Sequence, residues 1–369
     1  MARLTALSAI IKVCTGLALF GSPAMAANRK ADDLKGPLVI KQQGSFFVGG
    51  KTQRSEALTG TASGGDLGPN QGEITTGQMY VQFQVPERGA GTPIVLIHGG
   101  ALSGKAYETT PDGRMGWNEY LLRKGHPVYV VDQVARARSG FDATIYNQVK
   151  LGQVPPDKLP GVLMVSHEIA WTWFRIGPKF GTPFPDTQFP VAAVEEFYKQ
   201  GIADLSATVP NPNPNFANLA ALASKVNGAV LVSHSQSFMF PERAALVDPK
   251  GIKGIISLET GYACGTPFTP DEVAKLSKIP ILFVFSDHLG DAPDSLGKRW
   301  TDSFENCKKI IAQLKAAGGD ATMMHLPEVG IRGNSHLMMY DKNNLQIADL
   351  LRTWIAEHVD GKKSASRKK

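Results

Sequence analysis

Continuous apolar runs recur along this chain between stretches of helical spacing. Pro93-Ile94-Val95-Leu96-Ile97, Pro127-Val128-Tyr129-Val130-Val131, Ala229 to Val232, Ile252 to Leu258 and Ile281-Leu282-Phe283-Val284-Phe285 read as strands buried on both faces of a parallel sheet. Two earlier strands are expected at Ser45-Phe46-Phe47-Val48 and at Met79-Tyr80-Val81-Gln82-Phe83-Gln84-Val85. The second alternates apolar and polar positions, as an antiparallel strand does. A Gly/Ser/Thr-rich loop from Thr59 to Gly72 separates the two. Near the end, Ile347, Leu350, Leu351, Trp354 and Ile355 share one face of a closing amphipathic helix. Strands alternating with helices predict an α/β fold, a mostly parallel sheet flanked by helices. The stretch from Asp132 to Gly228 is too long for an ordinary crossover and carries many aromatics among prolines and glycines. It predicts a cap at about 141–227, inserted before the strand that starts at Ala229, with Trp171 or Trp173 among the candidate pocket walls.

The two ends change the picture of charge and address. Arg3, an apolar stretch ending at Phe20, and Ala24-Met25-Ala26 make residues 1–26 a signal peptide. Its unbroken apolar part is too short for a membrane anchor of about 20 residues, so stable membrane insertion is not expected. The mature chain, residues 27–359, is expected to be periplasmic or secreted, and its length suits one large core with a cap. A basic, disordered tail is expected at 360–369. Setting aside the two basic residues of the leader and the five of the tail turns the formal charge of +6 into about −1. A nearly neutral body offers no footprint for nucleic acid. With Cys14 lost, Cys264 and Cys307 form a candidate disulfide in an oxidising compartment. No Cys/His spacing resembles a metal site, and no cofactor is implied.

The chemistry centres on Val232-Ser233-His234-Ser235-Gln236-Ser237. A buried strand running into a tight turn with serine at its apex is how an α/β-hydrolase presents a nucleophile. Such a turn needs small residues two before and two after; here Ser233 and Ser237 stand where glycine is usual. A serine hydroxyl needs a base and a group to orient that base. His336, in the loop Gly333-Asn334-Ser335-His336 before the closing helix, is the candidate base, while His325, His234 and His288 fit that place less well. Two acids compete: Glu259 ends the strand after the nucleophile strand, and Asp287 ends the next. Generic topology favours Asp287; spacing leaves both open. His98-Gly99-Gly100-Ala101 follows a strand where the first oxyanion donor belongs, from Gly100 or Ala101, and the amide of Gln236 would be the second. Gly99 to Lys105 also matches the glycine and lysine positions of a phosphate-binding loop, but Ala106 stands where that loop needs a hydroxyl.

Several motifs together carry a more specific signal. Gly44 to Gly50, Thr110-Pro111-Asp112-Gly113-Arg114 with Gly116-Trp117, Asp132 with Arg136 to Ser139, the serine-rich turn, and Gly333 to His336 with Asp341 and Asn343 span most of the mature chain. In this combination the chain resembles the bacterial esterase 713-like branch of the α/β-hydrolases. The resemblance implies a glutamate as the acid, hence Ser235, Glu259 and His336. One departure is that the founding esterase has adjacent cysteines in the oxyanion loop, where this chain has Gly100-Ala101, so no disulfide stiffens that loop.

The expected function is a secreted serine hydrolase that cleaves small-molecule carboxylic esters through an acyl-enzyme. A lactone or amide hydrolase with the same residues, or an inactive hydrolase-like binding protein, are the alternatives. A homodimer is compatible with the sequence.

Overall fold

The first two strands run well beyond the apolar segments that announce them. The computed structural model describes residues 34, 36–63, 68–89, 91–260, 264–291 and 294–361, without the side chains of 294–296. The described residues from Pro37 onward group as one compact unit. The leader expected at 1–26 and the tail from 362 lie outside the described residues.

Strands β1 (Ile40–Ser55), β2 (Gly72–Pro86), β3 (Ile94–Ile97), β4 (Val128–Asp132), β5 (Ala229–His234), β6 (Ile252–Leu258), β7 (Ile281–Phe285) and β8 (Ala321–His325) build one sheet, in the order β1-β2-β4-β3-β5-β6-β7-β8. β1 pairs antiparallel with β2, and β2 with β4; every later pairing is parallel. The fold class expected from the apolar runs is the one formed. β8 was not announced by that pattern. It is an edge strand with only Ala321 buried, so it lacks the continuous apolar run of its neighbours.

The helices are α1 (Trp117–Arg123), α2 (Thr144–Lys150), α3 (His167–Trp173), α4 (Val194–Tyr198), α5 (Pro214–Lys225), α6 (Phe240–Val247), α7 (Pro270–Leu276), α8 (Asp294–Ala316) and α9 (Asn344–His358). Successive strand side chains point to opposite faces, so each parallel strand feeds two cores. Val95, Ile97, Leu231, Phe283 and Phe285 pack with α5, α6, α7 and α8. The alternate residues Leu96, Val230, Val232, Leu282 and Val284 are equally buried. On that face α1 packs on α9, and α9 approaches β6 so closely that a Cβ on Gly254 would lie 2.7 Å from Val359 Cγ2.

The excursion between β4 and β5 is not one piece. α5 belongs to the sheet layers: Leu219, Leu222 and Ala223 are buried against them. The part that leaves the sheet therefore ends before Pro214, short of the expected boundary at 227. It is closed by two backbone hydrogen bonds between Leu163 and Asp204, of 3.1 and 2.8 Å. Cys264, after β6, is bonded to Cys307 of α8, so the candidate disulfide forms.

Candidate active site

β5 delivers the candidate nucleophile. Ser235 follows its last residue with φ of 56°, a left-handed conformation that costs any side-chain-bearing residue energy and is characteristic of functional turns. Close approach of the neighbouring turn requires Gly99, since a Cβ there would lie 2.9 Å from Ser235 Cβ. Ser233 and Ser237 are fully buried and use their hydroxyls. Ser233 Oγ donates to Phe238 O at 2.9 Å. Ser237 Oγ accepts from His234 N–H at 3.1 Å. Small volume is retained, and each hydroxyl ties the turn to itself.

His336 Nε2 lies 2.8 Å from Ser235 Oγ, and His336 Nδ1 lies 3.2 Å from Glu259 Oε2. Both His336 and Glu259 are buried. Burial alone would push the Glu259 carboxyl up. The Arg175 guanidinium at 2.5 Å, with hydrogen bonds from His336 and the Ser286 amide, outweighs burial and holds it well below the usual carboxylate range. An ionised Glu259 can only accept, so His336 Nδ1 carries the proton and Nε2 is left as acceptor for the serine hydroxyl. Burial, reinforced by Arg175, also lowers the imidazole pKa.

Of the two competing acids, Glu259 is the one beside His336. The Asp287 carboxylate instead accepts from Gly333 N–H at 3.0 Å and His288 N–H at 2.9 Å, and so holds the loop that carries the histidine. Sequence reasoning missed Arg175. It donates to Glu259, to Ser286 Oγ at 2.7 Å and to Asp287 O at 3.0 Å, and stacks over Trp300. Only its place within an aromatic-rich segment, between Phe174 and Ile176, hinted at burial. His234 does more than point away from the serine: its Nε2–H donates to His336 O at 2.8 Å, and burial holds its pKa down at about 3.

The motifs that carried the resemblance converge on these loops. Arg114 donates to Tyr340 O and Asp341 O, and Trp117 Nε1 donates to Asn344 O. Asp341 accepts from Ser335 N–H, Ser335 Oγ and Asn334 Nδ2 at 2.7–2.8 Å. Together these clamp the segment holding His336. Asp132 accepts from Gly104 N–H and Arg138 Nε, fixing the chain just after Ala101. His98, held neutral by burial at a pKa of about 4, donates to Gly99 O and accepts from Gln133 N–H, which braces this turn without cysteines.

Ala101 has φ of 55°, and Gln236 is the second residue of the short helix Ser235–Ser237, in a first turn where backbone amides lack intrahelical partners. The Gln236 side chain donates to Asp204 at 2.7 Å, and Asp204 forms a buried ion pair with Arg136. Above the serine opens a cavity of about 490 Å³, with Gly100, Gln236 and His336 at its base and Leu163, Trp173 and Phe240 among its walls. Trp171 is not a wall: it is buried against Phe180.

No family model matches the sequence. The chain is 30% identical over 325 residues to a probable secreted lipase, phiG, of a fungus (strain ATCC 74256), covering 75% of this chain and 85% of that protein. It is similar to a solved structure described as a novel bacterial esterase, with 46% identity, a TM-score of 0.82, and coverage of 88% of this chain and 98% of that one.

Proposed function

The chain belongs to the α/β-hydrolases, in the branch of the bacterial esterases, and is a carboxylic ester hydrolase; from that premise we propose that Ser235, His336 and Glu259 are its catalytic triad. The observation that carries the reading is His336 bridging Ser235 Oγ and the buried Glu259 beneath an apolar cavity. Ser235 attacks the ester carbonyl while His336 Nε2 takes its proton. The oxyanion is held by the Gln236 amide and by that of Gly100 or Ala101. The tetrahedral intermediate collapses as His336 returns the proton to the leaving alcohol, which gives an acyl-enzyme. Water, activated by the same imidazole, then releases the acid. Glu259 keeps the imidazole in its Nδ1–H tautomer and stabilises the imidazolium.

Residues 141–213 act as the cap that selects the acyl or alcohol group, and export removes residues 1–26. Among the described residues no helix is long and apolar enough to cross a membrane. The substrate is a small-molecule ester. A fluorophosphonate probe should label the wild type and leave Ser235→Ala unlabelled and inactive, with an unchanged circular dichroism spectrum. Full ester turnover by a folded Ser235→Ala protein would remove the proposal.

A further inference from the structure

Five of the large apolar side chains exposed to solvent fall within one short stretch of the cap. They are Leu159, Val162, Leu163, Met164 and Ile169, with Met164 at 62% exposure. Single exposed apolar residues need no explanation, but a cluster marks a contact with something apolar. This cluster is continuous with the cavity: Leu163 and its neighbour Val165 belong to both the strip and the cavity wall that faces Ser235. Its anchor is the backbone pairing of Leu163 with Asp204, whose side chain holds Gln236.

We infer that the strip from Leu159 to Ile169 docks the enzyme on the surface of aggregated, water-insoluble ester, so that substrate passes from that surface directly into the cavity. The inference rests on the proposed function of the site. The continuity of strip and cavity wall selects this occupant. A folded protein seated on Val162 and Met164 would stand beside or over the mouth and hinder entry, whereas an apolar ester phase covers the strip and supplies the cavity at once. Burial of apolar side chains in such an interface drives binding without any transmembrane segment.

The test uses Val162→Asp/Met164→Asp, two exposed positions outside the cavity wall, in otherwise wild-type and in Ser235→Ala protein. Co-sedimentation with a triacylglycerol emulsion is measured with the Ser235→Ala forms, and hydrolysis of a soluble short-chain ester with the active forms. The single Ser235→Ala protein should partition to the emulsion. The added Asp pair should reduce partition at least tenfold, since each buried side chain of this size is worth about a tenfold change or more. Soluble-ester turnover should stay within about twofold of wild type, because neither side chain touches the site. Active wild type should also speed up when an ester exceeds its solubility limit, and the Asp pair should not. Equal partition with and without the Asp pair, or no partition at all, overturns the inference. So does light scattering that shows a dimer which the Asp pair dissolves, since the strip would then join two copies. Loss of soluble-ester turnover in the wild type would sink the proposed function instead, and the partition measurement would still decide the docking.

Discussion

Two buried arginine–carboxylate pairs flank the serine, and they are set to different tasks. Arg136 with Asp204 lies beside Gly100 and Gln236; Arg175 with Glu259 lies behind the histidine. All four side chains are at most 1% exposed, and each arginine leaves one guanidinium nitrogen without a partner among the described residues. In both, burial pushes the carboxyl up and the arginine, with hydrogen bonds, more than reverses it. The difference lies in what the carboxylate touches next. Asp204 accepts from the neutral amide of Gln236, so its charge fixes a position. Glu259 touches a titrating imidazole, so its charge, and that of Arg175 behind it, sets an equilibrium. Removing one partner of a buried pair costs about 3–5 kcal/mol wherever it lies, whereas the kinetic consequence depends on the neighbour.

The largest test breaks the second pair at its acid. Glu259→Gln should lower kcat by on the order of 10⁴-fold, as acid-to-amide changes do in such triads. In the same assay Asp287→Asn should cost far less; the reverse ranking would transfer the role to Asp287.

Arg175→Met should lower folding stability by about 3–5 kcal/mol in urea titrations. It should also move the acidic limb of kcat/KM to higher pH. The sign follows from the charges: Arg175 opposes protonation of His336, so its removal lets the imidazole gain its proton at a higher pH. Arg175→Lys should return the limb part of the way.

Arg136→Met should cost a similar amount of stability and lower kcat/KM while leaving the acidic limb in place. A limb that shifts equally in both variants would mean that the two pairs are not distinct in function.

A third buried carboxyl sharpens the contrast. Glu242, on α6, accepts from Ser257 Oγ and forms no ion pair among the described residues; burial pushes its pKa up to about 8 from 4.5. The folded protein therefore holds a proton that the unfolded chain has released, and stability falls as pH rises from about 4.5 through 8. Glu242→Gln should flatten that fall, and thermal melts across this range would measure it. An unchanged pH slope would show that Glu242 is ionised in the fold.

How much of this was readable beforehand depends on the range of the interaction. Strand interiors and the serine turn are local patterns, and Ile281 to Phe285 or Ser233 to Ser237 could be read residue by residue. The choice of Glu259 over Asp287 was not local. Both end parallel strands, and the carboxylate beside His336 is selected by how two loops meet. Arg175 was harder still, since its place between Phe174 and Ile176 hints at burial but does not mark a cation destined for zero exposure. β8 escaped because an edge strand half open to water lacks an apolar run. That α5 packs on the sheet was not legible either, because it is amphipathic like the helices around it and its partner sheet is remote in sequence.

The bond between Cys264 and Cys307 closes a covalent ring that contains β7 and most of α8. Ser235 and Glu259 precede that ring and His336 follows it. A protease that cut one peptide bond anywhere inside the ring would therefore separate the serine and the glutamate from the histidine in sequence while leaving the pieces one molecule. Such nicked protein would migrate as a single species on a gel until reductant split it. In the exported protein proposed above, which would meet other organisms' proteases, the crosslink would serve as insurance for the whole constellation rather than as a brace for one loop.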